Sequence, residues 1–200
     1  MVRFRCLKRG FCCKRYWIPV THLDLLRLEI YGGIPVDANI IELRDREIYE
    51  VRSGLYPVIV LHKREYYLSL RSREDNSCIF LSSDGKCLVH EFKPLVCRFY
   101  PFVYVVRDGG EIDIELNENA LGECPGIVLD DKPIPSDIVE NLKRIARARV
   151  EELRLWEECV AEWNREYGSE DVDISTFIDF IMDRARRDMM KLQSAGLWIK

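Results

Sequence analysis

The most regular hydropathy lies in the last third of the chain. From Ser136 to about Tyr167, Ile138, Leu142, Ile145, Val150, Leu153, Trp156, Val160 and Trp163 recur at helical spacing among charged residues, and Gly168 ends the run. This pattern predicts a long amphipathic helix with Ser136 as its N-cap. A second helix is predicted over about 175 to 193, where Phe177, Ile181, Ala185, Met189 and Leu192 form an apolar stripe before Gly196. The two make a helical hairpin whose stripe suits packing against a core, with docking of a protein partner as the other use of such a face.

Upstream, the apolar runs are shorter. "VTHLDLLRLEIYGG" predicts a helix over about 22 to 31: Thr21 and Asp24 resemble a capping box with Asp in the usual Glu place, Leu25 and Leu28 offer an apolar side, and Gly32 and Gly33 stop it. Residues 34 to 56 show no clear period. Two β-rich runs, Val58 to Leu61 and Tyr66 to Leu70, surround a charged turn and predict a hairpin. "CIFLSSDGKCLVH" predicts a second, turning at Ser82 to Gly85 with Cys78 and Cys87 on its two arms, where cross-strand pairing brings the thiols close. "YPFVYVVRDGGEIDIEL" predicts a third, turning at Asp108 to Gly110, with Ile112, Ile114 and Leu116 alternating as in a half-buried strand. The polar link "LDDKPIPSD" divides this part from the helices. The expected fold is therefore α+β: small antiparallel hairpins and a short helix around a cysteine cluster, then a C-terminal helical hairpin. Residues 1–130 form the cluster domain and 131–200 the hairpin packed on it.

Composition narrows the function. With 200 residues, 48% of them hydrophobic, the chain can build a core without help from a metal. Its eight cysteines therefore need a reason of their own. A net charge of −4 argues against nucleic acid as a partner, and no apolar stretch is long enough to span a bilayer. We expect a cytoplasmic protein, where clustered thiols bind metal or do redox chemistry more often than they cross-link. Charged residues make up 32% of the chain and Gln appears only at position 193, the balance of a thermophile protein, in which intracellular disulfides also occur.

Cys159 stands alone on the long helix and reads as a small buried hydrophobe. The other seven, Cys6, Cys12, Cys13, Cys78, Cys87, Cys97 and Cys124, are the candidate metal ligands. Thiolates select zinc or iron over the cations that prefer oxygen. A tetrahedral zinc or a four-cysteine cluster uses four of them, and spacing does not say which. In extended backbone, Cys12 and Cys13 would project to opposite sides, so sharing one ion is not expected of them. The cations around the first thiols, Arg3, Arg5, Lys8, Arg9, Lys14 and Arg15, read as offsetting thiolate charge, with Arg98 serving Cys97 in the same way. His90, three residues after Cys87, and His22 are possible nitrogen ligands, His62 a weaker one. Phe99, Tyr100 and Phe102 of "RFYPF" read as packing that keeps water from the site.

Phe4, Cys6, Gly10, Cys12 and Cys13 match in register the start F-x-C-x-x-C-G-x-C-C of the YkgJ-like cysteine-cluster proteins, with Arg9 where that pattern has its second cysteine. The resemblance continues through the Thr21 to Asp24 helix start, "CIFLSSDGKCLVHEFKPLVCRFYPF" and Cys124-Pro125, covering about residues 4 to 126. It implies chelation of zinc or iron, the latter including a 4Fe-4S or 2Fe-2S cluster, in a structural, redox or sensing role. With Arg9 in place of a thiol, this chain holds one ligand fewer than the pattern. A similar cluster occurs in flagellin lysine N-methylases, which makes a partner-dependent protein methyltransferase one alternative, although no glycine-rich nucleotide fingerprint or other catalytic motif is found. A disulfide-stabilised interaction protein is the other.

Overall fold

The computed structural model describes residues 2–49, 56–129 and 134–200. It is an α+β fold built round one central helix, α2 (His22–Gly32), whose residues from His22 to Leu28 are all buried. The capping box forms: the Thr21 hydroxyl accepts from the Asp24 N–H and the Asp24 carboxylate accepts from the Thr21 N–H, both at 3.2 Å. Gly33, at φ 62°, closes the helix by bonding back to the Glu29 carbonyl.

The strands form three small antiparallel sheets. β2 (Ile41–Asp45), β3 (Ile59–Leu61) and β4 (Arg64–Leu70) form a sheet in the order β2-β4-β3, with Ile41 opposite Leu70, Leu43 opposite Leu68 and Ile59 opposite Tyr66. The hairpin expected here forms with β4 starting at Arg64, so that His62 and Lys63, both at positive φ, make a two-residue turn between β3 and β4. β2 lies within the stretch that shows no period in sequence; residues 50–55 of that stretch fall outside the described residues. β5 (Phe102–Val106) pairs with β6 (Ile112–Leu116) from Phe102↔Leu116 to Val106↔Ile112, the third expected hairpin. β1 (Val2–Phe4) pairs with β7 (Ile127–Leu129), so the two ends of the cysteine-rich part lie side by side.

α4 (Ser136–Tyr167) and α5 (Ile174–Ser194) are the predicted helices. Ser136 is the first helical residue rather than the cap; Pro135 holds the cap position, without a side-chain bond. Residues 130–133 of the "LDDKPIPSD" link fall outside the described residues. Trp163, Phe177 and Ile181 are fully buried and join Leu25, Leu26, Leu28, Ile59 and Leu68 in one core, each such side chain stabilising the fold by about 1.5–3 kcal/mol. A second cluster joins Leu95, Phe99, Phe102 and Ile112 to Leu142 and Ile145. Val150, assigned to the apolar stripe from its spacing, is instead exposed, and the inward positions beside it are taken by Arg149 and Glu152.

α4 also holds the edge of the larger sheet. The Asn164 amide donates to the Val58 carbonyl (2.7 Å), its oxygen accepts from the Val60 N–H (2.8 Å), and the Trp163 indole N–H donates to the Val60 carbonyl (2.9 Å). Edge groups left open in a strand are thereby satisfied.

Four buried charges tie α2 to α4. Arg149 donates to Asp24 (2.9 Å), Arg27 lies 3.5 Å from Asp24, and Arg27 bonds the Glu152 carboxylate through both terminal nitrogens. The Leu95 N–H donates to the other Asp24 oxygen (2.8 Å), anchoring the segment that leads to Cys97. Two positive and two negative charges cancel, which is what burial of such groups requires.

Candidate metal centre

Three short elements carry the central thiols. α1 (Phe11–Arg15) holds Cys12 and Cys13, the loop 78–87 holds Cys78 and Cys87, and α3 (Val96–Phe99) holds Cys97. The loop is not the regular hairpin expected from its sequence. Cys78 bridges to Ser72 and Cys87 to Leu81, with the Ser82 to Gly85 turn between, so the two cysteines are not ladder partners. Two tight turns, rather than two strands, bring them to the cluster.

Cys12 and Cys13 lie on a helical turn, not on extended backbone. Neighbours on a helix point about 100° apart instead of 180°, and here the Cys13 thiol lies close enough to Cys12 and Cys87 for the three to perturb one another's ionisation. The Cys78 N–H donates to the Cys13 carbonyl at 2.7 Å, docking the loop on α1. Gly10 permits this closeness: it sits at φ 62°, and a Cβ there would lie 2.2 Å from Leu81 and 2.8 Å from the Gly85 carbonyl.

Electrostatics mark the same group. The hydrogen bond from Cys13 lowers the Cys87 thiol to about 6 and the Cys12 thiol to about 7, against burial, with the Lys93 cation helping at both. Cys13 is raised by the bonds it makes to Cys12 and Cys87. Burial pushes Cys78 up to about 11 and Cys97 well above the usual thiol range, and both feel the neighbouring sulfurs. Five thiols thus interact at one place. Cys124 lies within electrostatic reach of Cys12 and of the exposed Cys6, at the end where β1 and β7 pair. Cys159 is fully buried on α4, and the groups that act on its thiol are Arg184, Asp188, Glu162 and Arg187 rather than another cysteine.

All eight cysteines are free thiols. Among the described residues no group of three or more His, Cys, Asp or Glu side chains is arranged to hold a metal ion as it stands. The donor set is nonetheless soft, half-buried to buried apart from Cys6, partly ionised and close to a lysine, which fits zinc or iron and not magnesium or calcium.

Other expected contributors are placed differently. Lys93, not singled out in the sequence, is the cation acting on Cys12 and Cys87. Arg15 pairs with Glu123. Arg98 turns its guanidinium to the Lys93 and Lys200 carbonyls rather than to the Cys97 sulfur, so the expected N–H···S bond does not form. His22 is buried, bonded to Asp188 at 3.0 Å and stacked on Trp156, while His62 pairs with Asp171 at the β3–β4 turn. His90 lies in a 3-10 turn, where burial and the Lys93 and Lys8 cations lower its pKa. Phe99 and Phe102 are buried beside the cluster, and Tyr100 is half-buried with a cis bond to Pro101. The Asp24–Arg149 network is missed by any hydropathy pattern; its only trace is the pairing of opposite charges three residues apart at Asp24/Arg27 and Arg149/Glu152.

A half-buried group of cysteines on short turns, held against an α+β core, defines a cysteine-cluster chelating domain. Residues 5–125 match the family model CxxCxxCC, described as "Putative zinc- or iron-chelating domain". The chain belongs to that family. It is 26% identical over 137 residues to the uncharacterized protein MJ0661 of Methanocaldococcus jannaschii, a stretch covering 68% of this chain and 64% of that relative, so the match spans a little under two thirds of the relative's length. No solved structure matches the chain. No helix among the described residues is long and apolar enough to cross a membrane.

Proposed function

We propose that Cys12, Cys13, Cys78, Cys87 and Cys97 supply the ligands of a zinc or iron centre that locks α1, the 78–87 loop and α3 together, with Cys124 and Cys6 lining its outer end. The observation that carries this reading is the docking of the loop on α1, where the Cys78 N–H donates to the Cys13 carbonyl at 2.7 Å, together with the mutual perturbation of Cys12, Cys13, Cys78, Cys87 and Cys97. The elements involved share no ladder with one another, so ligation would tie together pieces that the sheets leave loose. Free thiols throughout favour chelation over cross-linking. Bound metal would displace protons from Cys13, Cys78 and Cys97, making affinity fall in acid. Lys93 would offset part of the thiolate charge. When bound, zinc would supply a structural centre, and an iron–sulfur centre would supply redox capacity.

The test is elemental analysis with an absorption spectrum on anaerobically purified wild type, Cys87→Ser, Cys97→Ser and Cys159→Ser. Wild type and Cys159→Ser should carry the same metal, and the other two variants much less. Equal content in Cys97→Ser and Cys159→Ser would overturn the assignment. A colourless zinc protein and a brown iron protein distinguish the two centres.

A further inference from the structure

A cavity of about 380 Å³ opens against one side of the cysteine cluster. Its size falls in the range of small-molecule sites. Its walls are ring pairs: Trp17 meets Tyr56 edge-on at 6.0 Å between centroids, and Phe99 meets Tyr104 at 4.9 Å. Among the described residues lining it, Arg149 is the charged one. Asp24, Arg27 and Glu152, the other members of its ion network, are fully buried and do not line the cavity.

The polar end of this cavity is rich in donors. Arg149 is 3% exposed and bonds Asp24 through Nη1, while a guanidinium carries five N–H groups and no acceptor. Glu152, whose carboxylate would otherwise compete, is engaged by Arg27 through both oxygens. The phenols of Tyr56 and Tyr104 both lie within electrostatic reach of Arg149, and burial raises both, so they stay protonated and able to donate. A ligand complementary to these surroundings has a flat aromatic body for the walls and a compact anionic acceptor for the donors.

We propose that this cavity is a binding site for a small planar aromatic carboxylate, its ring held between the Trp17–Tyr56 and Phe99–Tyr104 pairs and its carboxylate on Arg149, Tyr56 and Tyr104. Cys12 and Cys97 border the same cavity, so such a ligand sits against the cysteine cluster. Binding stands on the cavity's own side chains and does not depend on which metal the cluster holds.

The experiment is calorimetric titration of the metal-replete protein with 2-naphthoate, with 2-naphthylmethylammonium as the equal-shaped cation. Arg149 is left intact because it holds the core network. Naphthoate should bind saturably at one site, and the ammonium at least tenfold more weakly. Tyr104→Phe, which removes one donor to a charged acceptor, should weaken naphthoate about tenfold. Val103→Trp, placing a large ring from the exposed rim into the cavity, should abolish binding. Metal content is measured on each sample, so loss of the metal centre is recognised separately from loss of the ligand site. No saturable naphthoate binding by metal-replete wild type, equal affinity for the two probes, or unchanged affinity in Tyr104→Phe would each overturn the proposal.

Discussion

Replacing Asp24 by Asn tests the network that fastens α4 and the Cys97 segment to the central helix. The carboxylate is fully buried and accepts from Arg149 (2.9 Å), from Leu95 N–H (2.8 Å) and from Thr21 N–H (3.2 Å), with Arg27 at 3.5 Å. Burial opposes its charge, but Arg149, Arg27 and the backbone donors hold its pKa below the ordinary carboxylate range. Asn preserves shape and one acceptor and removes the charge, leaving two buried guanidinium groups facing Glu152 alone. Breaking a buried pair by neutralising one partner costs about 3–5 kcal/mol. The retained acceptor puts Asp24→Asn near the lower end, about 3 kcal/mol, out of the 5–15 kcal/mol typical of a whole domain. For a chain of this length that loss lowers the melting temperature by about 6–12 °C. Urea and thermal unfolding followed by circular dichroism, on samples of equal metal content, measure it. Asp183→Asn, at a pair that is 80% exposed on the Asp side, serves as the control and should be indistinguishable from wild type. A loss below about 1 kcal/mol in Asp24→Asn would refute the claim that charge balance, rather than shape, holds this core.

Three further outcomes follow from the packing. Gly10→Ala should cost about 1–3 kcal/mol and lower metal content, because a left-handed backbone and a close approach to Leu81 and Gly85 coincide there; Gly33→Ala, at the same φ but with open space around it, should cost about 1 kcal/mol and leave metal content unchanged. Burial lowers the His22 pKa against the pull of Asp188, so the fold resists protonating it. Stability from this residue is present above the unfolded value of about 6.5 and is lost as pH falls below it, whereas His22→Gln should show a flat urea midpoint between about pH 6.5 and pH 5. Asp188, held low by its bonds from His22, Lys191 and Arg184 despite burial, adds its own loss only in stronger acid. Finally, Trp163→Leu should destabilise by about 3 kcal/mol or more, since it empties part of the core and releases the Val60 carbonyl, and proteolysis near β3 should report it.

Local chemistry along the chain was enough for the elements that carry their own signals. The α2 capping box needs only Thr21 and Asp24, the β5–β6 hairpin only its alternation and glycine turn, and α4 and α5 only a 3.6-residue period. Buried Cys159 was legible from its isolation, a single thiol on a helix remote in sequence from the others. What the stripe could not reveal was Arg149 and Glu152 at inward positions. A charge is tolerated inside only when its partner arrives from elsewhere, and those partners, Asp24 and Arg27, lie over a hundred residues away.

The cysteine cluster shows the same division. Its membership in a chelating family, and the softness of its ligands, reside in residue identity and spacing. Which thiols meet is a matter of backbone geometry: a helical turn at Phe11–Arg15 turns Cys12 and Cys13 through about 100°, and two tight turns carry Cys78 and Cys87 to them. Lys93, rather than the cations beside the first cysteines, became their electrostatic partner because the chain folds back there. Sequence determines what each segment can offer over a few residues; long-range packing alone decides which offers meet, because coulombic and hydrogen-bonding terms act over distances in space and not along the chain.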